Sequence, residues 1–274
     1  MRNLWDRGIV EFAVGATAGA LLFRERQRRN VAERLAAAVL ETLLRAIDAN
    51  DAETGGHVRR VARYALILAD AADLDASEQR NVERVALFHD IGKIDEALFD
   101  IIHDNSKLST EELRAVRTHP QRGAEVLAPL AAFYPDLADG VLSHHERWDG
   151  KGYPRKLRAN AIPIAARIVA IADSFDAMTF TRRYQNARSF EEATETLMAG
   201  RGTQFDPNLV DLFLSPPVIQ AATQVLQEDH RRPRPRRAPP TRDREEIPVP
   251  KLSFRWRTTT PAPHARGRGR RRSP

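Results

Sequence analysis

The sequence predicts an all-α fold that ends in a disordered basic tail. Three observations carry that expectation. Apolar residues recur at helical spacing up to about residue 217, and no alternating pattern of the kind a half-buried strand needs persists anywhere. Capping boxes, in which a short polar side chain and a Glu three residues later satisfy each other's free backbone N–H groups, recur at Asp75-Ala-Ser-Glu78, Ser109-Thr-Glu-Glu112 and Ser189-Phe-Glu-Glu192. Residues 231–274 hold nine of the seventeen prolines among Arg-rich runs, and such a segment cannot bury enough apolar surface to offset its chain entropy.

In chain order, the first segment, residues 1–30, is apolar from Ile9 to Phe23 and then basic from Arg24 to Arg29. The apolar part is shorter than the roughly 20 residues a membrane-spanning helix needs, and it contains Glu11. It reads as a plain or interfacial amphipathic helix, as a short membrane anchor, or as a signal peptide without a clear cleavage site. As an anchor, its basic run would leave everything after it on the cytoplasmic face. Val31, Leu35, Leu40, Leu43, Leu44 and Ile47 give a helix over 31–49, and His57 to about Asp73 gives the next. Asp75 opens a third helix that runs to Ile91 and stops at Gly92. Ser109 starts another, and Pro120 breaks or kinks the chain just after His119. Val141–Glu146 is a short helical piece, and Trp148–Pro154 is a loop punctuated by Gly150, Gly152 and Pro154. A strongly apolar helix spans Ile164 to about Phe180, Ser189 caps one more, and Asp206-Pro207 begins the last, with proline at its first position. The folded part is expected to cover 31–216 and the tail 217–274.

Composition narrows the chemistry. There is no cysteine, which excludes disulfides, thiolate metal sites and cysteine nucleophiles, and leaves His, Asp and Glu to hold any metal. It also fits a reducing, cytoplasmic setting. The net charge of +6 conceals two regions. From His230 onward fifteen Lys and Arg face three Asp and Glu, a net +12, while the rest of the chain has 28 against 34, a net −6. The basic character therefore belongs to the tail, whose arginines are solvated charge or a contact for nucleic acid or anionic lipid.

Five of the eight histidines sit at element ends or on apolar helices: His57, His89, His119, His144 and His145. His89-Asp90 alone is a weak signal, since a polar pair at a helix end is ordinary. Its company changes that reading. Asp173 interrupts the apolar run Ile168–Ala172, where a lone buried carboxylate is costly unless paired or bound to a metal. Glu53 stands four residues before His57, on the same helical face if the helix persists through Gly55-Gly56, or it simply pairs with Arg59 or Arg60. Imidazoles and carboxylates together suit divalent ions such as Mn²⁺ and Fe²⁺. Five His and two Asp exceed the needs of one ion, so more than one is expected. Adjacent helical residues point about 100° apart, so His144 and His145 suit different ions, and Asp90 can bridge. Paired ions of this sort suit phosphoryl transfer.

The run His89-Asp90-Ile91-Gly92-Lys93, followed by His144-His145-Glu146-Arg147-Trp148-Asp149-Gly150-Lys151-Gly152-Tyr153-Pro154, resembles the HD-GYP family. The likeness extends from about Glu53 to Leu214 and includes Gly202-Thr203-Gln204-Phe205-Asp206-Pro207. It implies an HD-domain helical bundle that hydrolyses cyclic di-GMP to pGpG or onward to GMP. It further implies that His57, His89, Asp90, His119, His144, His145 and Asp173 are metal ligands, and that Glu53 joins them in members holding three ions rather than two, of iron or manganese. By the same likeness Lys93 lies near the scissile phosphate, Arg182 binds a substrate phosphate, and Gly152-Tyr153-Pro154 belongs to a loop that meets partners, notably diguanylate cyclases. Lys93 could instead complement a helix C-terminus, and Trp148 and Tyr153 either pack the loop or stack on guanine. The chain departs from the family pattern in two places. Arg182-Arg183-Tyr184-Gln185 lacks a usual proline and a final basic residue, so that one phosphate contact is either lost or supplied differently, for instance by Arg183, and Asp95–Phe99 replaces a Gly-Ile-Pro-like turn. Three rival functions stand beside the phosphodiesterase: an HD phosphohydrolase acting on another nucleotide, a scaffold that binds a cyclase through the Gly152–Pro154 loop, and a nucleic-acid binder led by the tail. Assembly as a homodimer is a further expectation.

Overall fold

The computed structural model describes residues 2–50, 52–94, 109–180 and 188–231, with side chains over 23–49, 54–93, 109–180, 188–229 and 231. Ten α-helices lie in these stretches: α1 (Arg2–Asn50), α2 (Ala52–Ala71), α3 (Ala76–Phe88), α4 (Thr110–Val116), α5 (His119–Leu127), α6 (Leu137–Ser143), α7 (Ile164–Thr179), α8 (Phe190–Ala199), α9 (Pro207–Phe213) and α10 (Pro216–Arg231). Among the described residues there is no strand, only an isolated bridge between Arg201 and Phe205. The expected all-α class is what the molecule adopts.

Helix α7 is the spine, because nearly every face of it is apolar. Ala165, Ile168, Val169, Ile171, Ala172 and Phe175 are all buried, and a helix hydrophobic all round must be covered on every side. Helices α2 and α3 pack on it and on each other, α6 and α8 flank it, and α10 lies along α2. Phe175 sits edge-on to Tyr64 of α2 and Phe213 of α9, with ring centroids 5.2 and 5.1 Å away. All three capping boxes form: Asp75 accepts from the Ser77 and Glu78 N–H groups while Glu78 takes the Asp75 N–H, and Ser109 with Glu112 and Ser189 with Glu192 repeat the exchange.

Several boundaries differ from the sequence reading. Helix α1 runs unbroken from Arg2 to Asn50 rather than beginning near residue 31. Its last part packs on the body through Ala36, Leu40 and Ile47, while Phe23, Val31 and Leu35 are 63%, 62% and 65% exposed. Among the described residues no single helix is long and apolar enough to cross a membrane. Helix α2 starts at Ala52, so the turn through Gly55-Gly56 is helical. A Cβ on Gly55 would overlap the Asp48 carboxylate, which is gripped by the Arg59 guanidinium at 2.5 Å. Helix α3 stops at Phe88, and a 3₁₀ turn, Ile91–Ile94, carries the next residues. Helix α6 ends at Ser143, so His144 and His145 follow it instead of lying inside a helix over 141–146.

The folded part also continues past residue 216. Helix α10 buries Val218, Ala222 and Val225, spaced four and three residues apart, against the core. The expected boundary at 217 placed this helix in the tail; its adjoining Pro216-Pro217 and the basic run after His230 masked the periodicity. The remainder of the tail, 232–274, lies outside the described residues, and with it the expected contacts to nucleic acid or lipid.

Candidate metal centre

The site forms where α2, the α3–3₁₀ junction, the start of α5, the end of α6 and the middle of α7 converge. Helix α2 supplies His57 from within its length and α7 supplies Asp173, whereas His89, His119 and His144 stand at helix ends, where a side chain can turn back on its own carbonyls. His89 Nδ1 donates to the Ala86 carbonyl at 2.8 Å, His119 Nδ1 to Val116 at 2.7 Å, and His144 Nδ1 to Val141 at 2.6 Å. The partner is three residues back each time, and the consequence is shared. With Nδ1 carrying the hydrogen, the Nε2 lone pair is left to point inward.

Those inward atoms meet. His119 Nε2 is 3.2 Å from His144 Nε2 and 3.3 Å from Asp90 Oδ1. His89 Nε2 is 3.4 Å from Asp90 Oδ2 and 3.9 Å from Asp173 Oδ1, and His57 Nε2 is 3.3 Å from the same Asp173 oxygen. The rings of His144 and His145 are 4.1 Å apart and tilted by 42°. Two ligand groups result, His57–His89–Asp90 and His119–His144–His145, each with donor atoms within 4.8 Å of one another. Asp90 stands between them. Among the described residues, His89 Nε2 and Asp90 Oδ1 are buried without a hydrogen-bond partner. Buried polar atoms seldom stay unpaired, and inward lone pairs gathered this closely repel one another unless a cation lies among them. The donor set therefore fits divalent metal ions on this geometry alone.

The electrostatics agree. Burial pushes His144 well below the usual imidazole range and His145 down to about 4, and the neighbouring imidazoles add to both shifts. Both rings are therefore neutral near pH 7, the form that binds metal. Burial alone would raise Asp90, yet Lys93 and the imidazoles of His89 and His119 hold it well below the usual carboxylate range. Asp173 is likewise lowered, against its burial, by His57 and His89. His57 differs: burial opposes its charge, but the carboxylates of Asp173 and Asp176 outweigh that and raise it to about 9.

Lys93 reaches the centre from the 3₁₀ turn, with Nζ 2.7 Å from Asp90 Oδ2 and its side chain 30% exposed. The turn can lie this close to α5 because residue 92 is glycine; an added Cβ would strike the His119 carbonyl oxygen and the Gly123 nitrogen. The Gly152–Pro154 loop is equally tight. A Cβ on Gly152 would overlap Arg147 and Glu146 backbone atoms. Tyr153 stacks on His145 with ring centroids 4.9 Å apart, and the Arg117 guanidinium lies 5.5 Å from the Tyr153 ring. Trp148 is half-buried, its ring 5.7 Å from the Arg167 guanidinium, and its backbone N–H donates to the Gln204 carbonyl at 3.1 Å. Trp148 thus packs the loop against Gly202–Pro207.

Of the expected site residues, the structure gathers His57, His89, Asp90, Lys93, His119, His144, His145 and Asp173. The Glu53 side chain, Arg182 and Arg183 lie outside the described residues, so their expected roles do too. Three participants escaped the sequence reading. Asp176 accepts from His57 Nδ1 at 2.6 Å, Arg60 grips Asp176, and Glu146 accepts the Arg155 and Leu157 N–H groups at 2.7 and 3.0 Å, pinning the loop. The signal for Asp176 was a second acid one turn after Asp173 on the most apolar helix, and for Arg60 a cation one turn after His57.

Comparison with known proteins places this geometry. The family model described as HD domain matches residues 41–209. The chain is 40% identical over 174 residues to the 3'3'-cGAMP-specific phosphodiesterase 2 of Vibrio cholerae serotype O1, covering 63% of this chain and 33% of that protein. It is 38% identical over 177 residues to the cyclic di-GMP phosphodiesterase response regulator RpfG of Xanthomonas campestris pv. campestris, covering 64% and 46%. The chain thus spans a third to about half the length of these relatives. The solved HDG"Y"P protein Bd1817 from Bdellovibrio bacteriovorus shares the fold, with a TM-score of 0.51 at 18% identity over 71% of this chain and 64% of that one. The ligand groups, the His-Asp pair that joins them and the family match all agree: the chain belongs to the HD domain family, in its HD-GYP branch.

Proposed function

We propose that this chain is a metal-dependent phosphodiesterase that opens a cyclic dinucleotide, cyclic di-GMP, to pGpG or onward to GMP. The observation that carries the reading is the pair of ligand groups with Asp90 of the one beside His119 of the other, and a lysine ammonium next to that carboxylate. We assign two ions to them, iron or manganese, and a third if Glu53 contributes. Such ions, when bound, lower the pKa of water and neutralise phosphoryl charge.

The chain's own residues supply the rest. The three carbonyl-anchored imidazoles hold fixed directions, so no ring has to reorient during the reaction. Lys93, part-exposed at the mouth, attracts a phosphodiester and holds a positive charge where negative charge grows. Tyr153 covers His145 and keeps bulk water from that side. Arg182 and Arg183 would hold a substrate phosphate. Lys151, Pro154, Arg155 and Lys156 form the exposed side of the loop, and this is the surface we assign to a diguanylate cyclase. Helix α1, with its exposed Val31 and Leu35, is the surface for a homodimer. We place the reaction in the cytoplasm.

A second substrate has a specific observation behind it, since one of these relatives bears the name of a 3'3'-cGAMP-specific phosphodiesterase. One experiment separates the readings. Protein purified anaerobically is analysed for metal and then given cyclic di-GMP, 3'3'-cGAMP and linear pGpG at equal concentration. Faster opening of cyclic di-GMP supports the first reading, and faster opening of 3'3'-cGAMP the second. Metal-loaded protein that opens neither refutes the enzyme.

A further inference from the structure

Helix α10 meets α2 through two carboxylate–arginine pairs with very different surroundings. Glu228 Oε2 takes Arg63 Nη2 at 2.5 Å, with both side chains largely exposed. Asp229 Oδ2 takes Arg60 Nη1 at 2.9 Å, and that arginine is 4% exposed. The other Arg60 nitrogens face inward: Nε donates to Asp176 Oδ1 at 2.7 Å and Nη2 to Asp176 Oδ2 at 3.0 Å. The guanidinium carbon lies 3.4 Å from the Phe180 ring centroid, so the plane is held from its face as well as its edges. Asp176, wholly buried, receives His57 Nδ1 at 2.6 Å. An unbroken series, Asp229–Arg60–Asp176–His57, therefore joins the last described helix to a member of the His57–His89–Asp90 group.

The chemistry of the first three links is specific. His89, His119 and His144 rest their Nδ1 on neutral carbonyls, whereas His57 rests its own on a carboxylate. A carboxylate there raises the donor strength of the opposite nitrogen and fixes the ring's direction. A buried carboxylate is itself stable only with its charge compensated, and the planar fork of Arg60 does that bidentately. The third nitrogen of the fork is held by Asp229, which lies twenty residues beyond the end of the family match at 209.

We propose that Asp229 is a positioning residue for His57, acting through Arg60 and Asp176, so that α10 completes the support of one of the two ligand groups and not the other. The proposal rests on the metal-centre reading and extends it to an element outside the matched domain.

The test is Mn²⁺ binding to the full-length, metal-free chain, measured by competition with a chromophoric chelator, with the metal-free melting temperature recorded alongside. Asp176→Asn is expected to weaken one class of Mn²⁺ site about 10- to 100-fold. Asp229→Ala is expected to weaken the same class about 3- to 10-fold and spare the other. Glu228→Ala, which removes the neighbouring ion pair between the same two helices, is expected to leave both classes unchanged. The double variant Asp176→Asn/Asp229→Ala is expected to bind no more weakly than Asp176→Asn alone, because the links act in series. If Asp229→Ala lowers the melting temperature more than Glu228→Ala does, Asp229→Asn, which keeps the shape, is judged by the same criteria. The proposal fails if the Asp229 variants bind as the unaltered chain does, weaken both classes alike, or are matched by Glu228→Ala. An unaltered chain that binds no Mn²⁺ overturns the metal centre itself, a result distinct from any of these.

Discussion

At the scale of single residues, the site is a set of lone pairs aimed by backbone carbonyls, and substitutions should separate aim from charge. Replacing His89 or Asp90 with Ala removes a group lining both the orphaned buried atoms and the bridge. Turnover of a cyclic dinucleotide is expected to be lost while the far-ultraviolet spectrum of the bundle is kept, since neither side chain belongs to the apolar core. A His89→Ala protein with full activity would contradict this. Lys93→Ala removes no expected ligand, only the ammonium beside Asp90: metal content should stay at the unaltered level while kcat falls about 10²- to 10³-fold, the scale for removing one charge-stabilising group. Equal losses of metal and of rate would instead make Lys93 a structural partner of Asp90. Most of these residues were legible beforehand because several His and Asp at apolar helices and element ends occur together, with the spacing of a known motif, where any one alone would be ordinary. Asp176 and Arg60 were not, because a second acid one turn after Asp173 and a cation one turn after His57 are too ordinary to suggest that they pair with each other across 116 residues.

At the scale of elements, the capping boxes were read correctly because their chemistry is local and lies within four residues. Ends of α2, α3 and α6 without such caps were misplaced by a few residues, and the start of α1 by far more. The stretch after Phe88 tightens into a 3₁₀ turn so that Gly92 can approach α5, a demand set by a residue far along the chain. The junction of α1 with α2 carries its own test. Asp48 grips Arg59, and that hydrogen bond holds Asp48 below its usual range of 3.8 despite some burial. A depressed carboxylate contributes stability above its unfolded pKa and loses it as pH falls through its folded one. Asp48→Asn is therefore expected to lower stability by about 0.5–1 kcal/mol at pH 7, a figure kept small because the pair is part-exposed. The difference from the unaltered chain should shrink below pH 3.8 and vanish in stronger acid. Chemical denaturation at pH 7 and pH 3 checks this, and a difference independent of pH would assign the effect to packing around Gly55.

At the scale of the whole molecule, α7 organises everything: it supplies the apolar spine, Asp173 to the centre and Asp176 behind it. That arrangement followed from the apolar run visible in the sequence, but the outer limit of the fold did not. The basic composition after His230 drew the expected boundary back to 217, although Val218, Ala222 and Val225 carry one more helical stripe. Two truncations distinguish the positions. Ending the chain after Arg231 removes none of the described packing, and melting temperature and phosphodiesterase rate are expected to stay as they were. Ending it after Ser215 uncovers α2 and deletes Asp229. Losing the burial of Val218 and Val225 alone costs roughly 3–6 kcal/mol. That is a large share of the 5–15 kcal/mol, roughly, that holds a domain together, so the shorter chain should melt far lower or fail to fold. A chain ending at Ser215 that melts like the unaltered one would show that α10 is an appendage, and the boundary drawn from composition would be the right one.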